Sequence, residues 1–214
     1  MTTLIIVRHG QSMANLEDKF AGQIYNPPLS PLGHRQAERT AEYIVSNYKI
    51  DKVYSSDLKR AFQTAEYIAD KLGTEIITEP GMREVFAGKW EGMKFSDIDI
   101  EYGEEFRLWK TDIGIAGCLG GEHVSELADR VLSAITKIAE ANDEKTVVVA
   151  THATPIRTLE ILWRENKLLN MKNIPWVSNA SVTVAEYKAG EFNLLSVGED
   201  THLGKMRTAL PENV

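Results

Sequence analysis

The sequence has little cysteine, no excess of basic charge and no long apolar run. Cys118 is its one cysteine, so no intrachain disulfide can form, and the chain suits a reducing, cytoplasmic setting. Net charge is -7. With no basic excess to neutralise a phosphate backbone, a nucleic-acid partner is disfavoured. A few local arginines can still hold a small phosphorylated molecule inside an acidic protein. The N-terminal apolar run, Leu4 to Val7, stops at Arg8 and His9. A secretory signal needs a longer stretch and a membrane helix about 20 apolar residues, so neither an export signal nor a membrane partner is expected. No internal repeat, low-complexity tract or long linker interrupts the chain, and one domain over residues 1–214 is the expectation.

Three chemistries are set aside by what is missing. The scattered histidines lack the close His/Cys spacing of a zinc site, so no metal or other cofactor is expected. A Gly-rich phosphate loop ending in Lys-Ser/Thr is absent. So is the Gly-x-Ser-x-Gly of a serine hydrolase.

What is there alternates between strand and helix patterns. Thr3 to Val7 is apolar throughout and rich in β-branched residues, as a parallel strand covered on both faces would be. Ser30 and Pro31 open a long helical pattern as cap and first-turn residue. Lys52 to Ser55 reads as a second strand, followed by a helix to about Leu72 that Asp57 is placed to cap. Glu75 to Thr78 reads as a third strand. Residues 81–121 are glycine-rich and irregular, with short helices expected around Phe95 to Asp99 and Gly103 to Lys110. This segment reads as an insertion, about 85–121, covering a site. Glu122 to Ala141 is an amphipathic helix, Thr146 to Ala150 a buried strand, and Thr154 to Glu165 a helix. Two strands, Ser181 to Tyr187 and Glu191 to Ser196, flank a hairpin turn. The order predicts an α/β fold: a three-layer sandwich with a mixed, mostly parallel central sheet flanked by helices.

Two strands end in histidine, as Val7-Arg8-His9-Gly10 and Ala150-Thr151-His152-Ala153. Ligands in open α/β sheets bind outside the carboxyl ends of strands, so both rings can face one crevice. Gly10 would let the backbone turn tightly and approach a ligand. Arg60 follows the second strand near a helix N-terminus, where amide groups and a partial positive charge favour anions. Arg8 and Arg60 together can grip one phosphoryl group. Gln11, Ser12 and Asn15 add neutral donors.

These stretches resemble the histidine phosphatase superfamily, the phosphoglycerate mutase-like family. The likeness begins at Leu4-Ile5-Ile6-Val7-Arg8-His9-Gly10-Gln11-Ser12 and continues through Pro28-Leu29-Ser30-Pro31-Leu32-Gly33. It runs on through Ser55-Ser56-Asp57-Leu58-Lys59-Arg60, Arg83-Glu84, Gly121-Glu122, His152 and Asn179-Ala180-Ser181, in the family's order. The resemblance implies that His9 attacks phosphorus and becomes a phosphohistidine. It implies that Arg8, Arg60 and His152 bind the equatorial oxygens, with His152 donating as a protonated ring. Glu84 would be the general acid, then the base for water. Asn15, Gln23 and the Ala153 N–H would add phosphate contacts. Glu91 and Glu122 are the rival carboxylates. His34, His123 and His202 are taken as surface or structural residues, and Phe86, Trp90 and Trp109 as either pocket wall or core.

Two positions depart from the family's pattern: Ala153 stands where glycine is common after the second histidine, and Gln11 where glutamate is common. Residues 93–121 are short, acidic and poor in basic residues compared with the closing segment of the cofactor-dependent phosphoglycerate mutases. The expected activity is therefore a metal-independent phosphomonoesterase acting on a small phosphorylated metabolite. A phosphoglycerate mutase and a non-catalytic phospholigand-binding protein are the alternatives. A homodimer is compatible with the sequence.

Overall fold

The computed structural model describes residues 1–209. Its six-stranded sheet comprises β1 (Thr2–Arg8), β2 (Lys52–Ser55), β3 (Ile76–Thr78), β4 (Thr146–Thr151), β5 (Val182–Lys188) and β6 (Glu191–Glu199). The strand order is β3-β2-β4-β1-β5-β6. Strands β3, β2, β4 and β1 are mutually parallel, and β5 runs antiparallel to both of its neighbours. The fold is the mixed, mostly parallel α/β arrangement that the sequence predicts.

Period-two alternation builds the layers. Ile5 and Val7 of β1, with Val148 and Ala150 of β4, pack into an apolar cluster with Ala41 and Ile44 of α2 (Pro31–Asn47) and Ala65 and Ile68 of α3 (Lys59–Leu72). Leu4, Ile6, Val147 and Val149 point the other way. They join Leu127 and Ile135 of the helix Val124–Glu140 and Ile156 and Leu159 of the helix Ala153–Arg164. Every one of these strand residues is buried, which is why the runs read as continuously apolar. Among the described residues no helix is long and apolar enough to cross a membrane.

The expected caps divide. Ser30 accepts the Gly33 N–H at 3.0 Å and Pro31 stands in the first turn of α2. Asp57 does not cap α3. The N-cap is Leu58, and the Asp57 carboxylate is instead held by the Arg83 guanidinium, with Nε to Oδ1 at 2.6 Å. A one-turn helix α1 (Met13–Leu16) was not anticipated. Ser12 and Asn15 close it as a reciprocal capping box. The segment from Gly81 to Gly121 carries α4 (Phe95–Glu101) and α5 (Gly103–Thr111), near their expected places. It is better packed than its glycine content suggests: Trp90, Phe106 and Trp109 are buried and continuous with the core beneath the sheet. The two long helices on that face are α6 (Val124–Glu140) and α7 (Ala153–Arg164).

Gly10 serves a different purpose from the one expected. Its φ is not positive, and a Cβ there would lie 2.5 Å from the backbone oxygen of Gly33. A Cβ on Gly33 would lie 2.0 Å from the oxygen of Gln11. The two glycines let the turn after β1 press directly on the first turn of α2. Gly33→Ala should therefore destabilise the fold by about 1–3 kcal/mol, as overpacking does. Urea unfolding measures this; an unchanged midpoint would mean the contact yields freely.

Candidate active site

The register of three strands sets the site. Arg8 pairs with Thr151 across β1 and β4, and Ser55 with Ala150 across β2 and β4. Their carboxyl ends are thus flush, and the next residues, His9, His152 and Ser56, leave the sheet along one edge. Ladder bonds carry on just past the strands: His9 N–H donates to Thr151 O at 3.0 Å and Ser56 N–H to Ala150 O at 2.9 Å. The two rings meet edge to face with centroids 5.2 Å apart.

Hydrogen bonds fix which nitrogen of His9 is basic. Nδ1 lies 2.7 Å from Gly10 O, an acceptor only, so Nδ1 carries the proton and Nε2 holds the lone pair. Nε2 faces Nε of Arg60 at 3.3 Å. Burial, then Arg60 and Arg8, push the His9 pKa well below the ordinary histidine value. The ring is neutral at physiological pH, as a nucleophile requires. His152 is also pushed well down, by burial first and then by Arg60 and His9. On its own, then, it is neutral rather than protonated. Its Nε2 sits 2.9 Å from the Ser56 hydroxyl, which also accepts the Leu58 N–H at 3.3 Å. With Ser56 donating to Nε2, the neutral ring carries its proton on Nδ1.

Both arginines are buried, Arg60 at 1% and Arg8 at 8% exposure. Desolvation lowers each pKa to about 10 and the charge of Glu84 pulls it back up. Both therefore stay charged at neutral pH. Part of their donor capacity is met by backbone: Arg8 donates to Val177 O, and Arg60 Nη2 to Gly22 O at 3.1 Å and Ala21 O at 3.3 Å. Arg8 Nε, Arg60 Nη1 and His152 Nδ1 are buried with no hydrogen-bond partner among the described residues. Buried donors are nearly always paired, so an unpaired set beside one imidazole calls for an acceptor from outside the protein.

Arg8, His9, Asn15, Arg60, Glu84 and Ala153 all line one cleft of about 620 Å³, counting its open mouth. Glu84 is its only lining carboxylate among the described residues. It is 8% exposed, with Oε1 accepting the Val85 N–H at 2.8 Å and Oε2 within 3.5 Å of the Thr154 N–H. The rival carboxylates are occupied elsewhere. Glu91 accepts the backbone N–H groups of Gln23, Ile24, Tyr25 and Ala87. Glu122 pairs with Arg130 and accepts the Phe86 N–H. Arg130 in turn donates to the carbonyls of Gly81, Arg83 and Glu84 and so clamps the loop that carries Glu84.

Asn15 keeps its amide nitrogen available, because its Oδ1 accepts from Ser12 and Asn179. Gln23 does not line the cleft. Its side-chain nitrogen donates to Glu84 O at 2.9 Å, a contact that places the loop. Ala153 begins α7 with negative φ, so no glycine is needed, and its N–H is among the helix's unpaired first amides. Gln11 shapes the turn, bonded to Gln36 and Ser30. His34, His123 and His202 are structural: against Tyr67, capping α6, and stacked on Tyr43. Of the three aromatic candidates, Trp109 lines the cleft, Trp90 is core and Phe86 does not line it. Sequence reading missed Lys19, Phe20, Ala21, Phe95, Thr154 and Trp176 as lining residues. They come from four separate segments, and no local pattern marks them.

The family model for the histidine phosphatase superfamily (branch 1) matches residues 4–200. Phosphoglycerate mutase-like protein 4 of Arabidopsis thaliana is 35% identical over 205 residues, covering 94% of this chain and 86% of the relative. Phosphoserine phosphatase 1 of Hydrogenobacter thermophilus is 33% identical over 159 residues, 74% of each chain. The solved structure of Bacillus stearothermophilus YhfR superposes with a TM-score of 0.90 at 26% identity, covering 95% of this chain and 100% of that one. The motifs from β1 to β5 occur in the family's order and meet at one sheet edge, and the match spans nearly all the described residues: this chain belongs to the histidine phosphatase superfamily, branch 1.

Proposed function

We propose that the protein is a metal-independent phosphomonoesterase of small phosphorylated metabolites that works through a phosphohistidine on His9. The observation that carries this reading is the set of buried donors on Arg8, Arg60 and His152 with no partner among the described residues, beside a neutral His9 whose Nε2 lone pair is engaged only by the long contact from Arg60 Nε at 3.3 Å. In the first step Nε2 attacks phosphorus. A P–N bond forms as the ester P–O bond breaks, and Glu84 gives a proton to the departing oxygen. Arg8, Arg60, His152 Nδ1 and the Asn15 amide hold the equatorial oxygens, whose charge they stabilise in the transition state. In the second step Glu84 takes a proton from water, the new oxygen bonds to phosphorus and the P–N bond breaks. Phosphate leaves and His9 regains its lone pair. The two guanidinium groups supply the positive charge a metal would otherwise bring.

Hydrolysis is favoured over phosphoryl transfer between hydroxyls by the short, acidic segment 93–121 and by the open mouth of the cleft. A relative named phosphoserine phosphatase agrees with that choice. The relative named phosphoglycerate mutase-like keeps isomerisation as the outcome to test against.

His9→Ala should lower phosphate release by about 10³-fold or more while leaving the circular dichroism spectrum and unfolding midpoint close to wild type. Substantial residual turnover would remove His9 as nucleophile. With 3-phosphoglycerate and a trace of bisphosphoglycerate, free phosphate should outpace 2-phosphoglycerate; the reverse would make the protein a mutase.

Prolonged EDTA treatment should leave turnover undiminished. Loss of activity that returns on adding a divalent metal would contradict a mechanism based on arginine.

The depressed pKa values of His9 and His152 have a thermodynamic consequence. Below the ordinary histidine pKa of about 6.5 the unfolded rings take up protons that the folded ones refuse, so stability falls as pH falls. Each ring can contribute up to about 1.4 kcal/mol per pH unit in that window. Urea unfolding at about pH 7.5 and about pH 5.5 should show His9→Asn losing less stability than wild type. Equal losses would mean that His9 is not held neutral.

A further inference from the structure

The walls of the cleft say what the phosphate is attached to. Beyond the groups assigned to the phosphoryl oxygens and the proton, the lining includes Phe20, Phe95, Trp109 and Trp176, with Lys19 as the one further charge among the described residues. Three of the rings form a continuous surface. Phe20 lies 5.4 Å from both Phe95 and Trp109, centroid to centroid, and Trp90 and Phe106 back them from the core. The fourth ring is held in place independently. The Arg157 guanidinium lies 4.3 Å from the Trp176 ring centre and donates to Ile174 O at 2.7 Å and Met171 O at 3.0 Å. The segment that carries Trp176 is thereby tied to α7. Its next residue, Val177, gives its carbonyl to Arg8. The aromatic wall and the phosphate grip are thus parts of one braced structure.

Resting on the phosphatase reading, we infer that the substrates bound best are phosphate monoesters of uncharged alcohols bearing an apolar, ring-sized group, and that zwitterionic amino-acid esters are disfavoured. An aromatic wall stabilises a leaving group by removing apolar surface from water and by ring-to-ring contact. An α-ammonium group finds no further carboxylate among the described lining residues. Among the described residues the only lining carboxylate is Glu84, which accepts the Val85 N–H and is assigned to proton transfer. Lys19, already paired with Glu17 at 2.7 Å, would repel a second ammonium.

The test compares three esters whose leaving groups are all alkoxides, so that chemistry does not mask binding: phenethyl phosphate, ethyl phosphate and O-phosphoserine. Expected is a kcat/KM for phenethyl phosphate about tenfold or more above each of the other two. Trp176→Ala should lower the phenethyl-to-ethyl ratio several-fold. O-phosphoserine equal to or better than phenethyl phosphate, or a ratio near one in wild type, would overturn the inference while leaving the phosphatase reading standing. Calorimetry with phenethylphosphonate and ethylphosphonate, which cannot be hydrolysed, separates the two claims. Tighter phenethylphosphonate binding with no turnover of any ester would support this wall and end the phosphatase reading. Equal affinities for the two phosphonates would overturn the inference whatever the turnover.

Discussion

Two guanidinium groups lie buried against a neutral imidazole, and the surrounding structure is organised to keep them there. Desolvating a charge costs several kcal/mol even after the protein relaxes. At Arg8 and Arg60 that cost lowers each pKa to about 10, which is not enough to discharge either group at neutral pH. The carbonyls of Val177, Ala21 and Gly22 and the charge of Glu84 compensate only in part. What remains is a deficit with a direction: donors on Arg8, Arg60 and His152 that nothing in the described chain satisfies. In the proposed reaction a phosphoryl dianion would fill it. Burial first, and then the charges of Arg60 and Arg8, keep His9 unprotonated, so the two guanidinium groups add to both the anion's attraction and the imidazole's neutrality.

That arrangement depends on strand register. Because β2, β4 and β1 end flush, the residues just beyond them reach one edge together. A one-residue slip of β1 against β4 would exchange the faces of Leu4 and Ile6 with those of Ile5 and Val7. It would also carry His9 out of contact with His152. Each cluster of the core therefore fixes the site as well as the fold, since the residues that set the register are the ones buried on the two faces. Gly10 and Gly33 add a second constraint by letting α2 press on the turn that holds His9.

Much of this was legible in the sequence, and the reason differs by element. Strands β1 and β4 stand out because a strand covered on both faces is apolar almost without interruption and stops abruptly at Arg8 or Thr151. Histidines directly after two such stops put both at the ligand-binding edge. The family's ordered motifs then singled out Glu84 among three loop glutamates, a distinction composition does not make. The structure supplies the physical reason. Glu91 and Glu122 are engaged by backbone amides and by Arg130, partners that sequence distance conceals. Asp57 misled for the same reason: its partner Arg83 lies 26 residues away, and a local capping rule has no access to it. The aromatic wall was the least legible part. Trp90 and Trp109 look alike along the chain and both pack in the core, and only the fold shows that Trp109 also reaches the cleft.

The clamp on the Glu84 loop bears on how one carboxylate would serve both steps of the proposed reaction. As acid it must meet the leaving oxygen, and as base it must meet a water that arrives at the same place. Both demands are satisfied by one position if that position does not move between steps. Arg130 fixes it by accepting no freedom in the backbone: its guanidinium takes the carbonyls of Gly81, Arg83 and Glu84 while its charge is balanced by Glu122. Thr151 adds a bond from its hydroxyl to Met82 O at 2.7 Å, tying the same loop to the strand that ends at His152. Acid, nucleophile and anion grip are thus referred to one sheet edge.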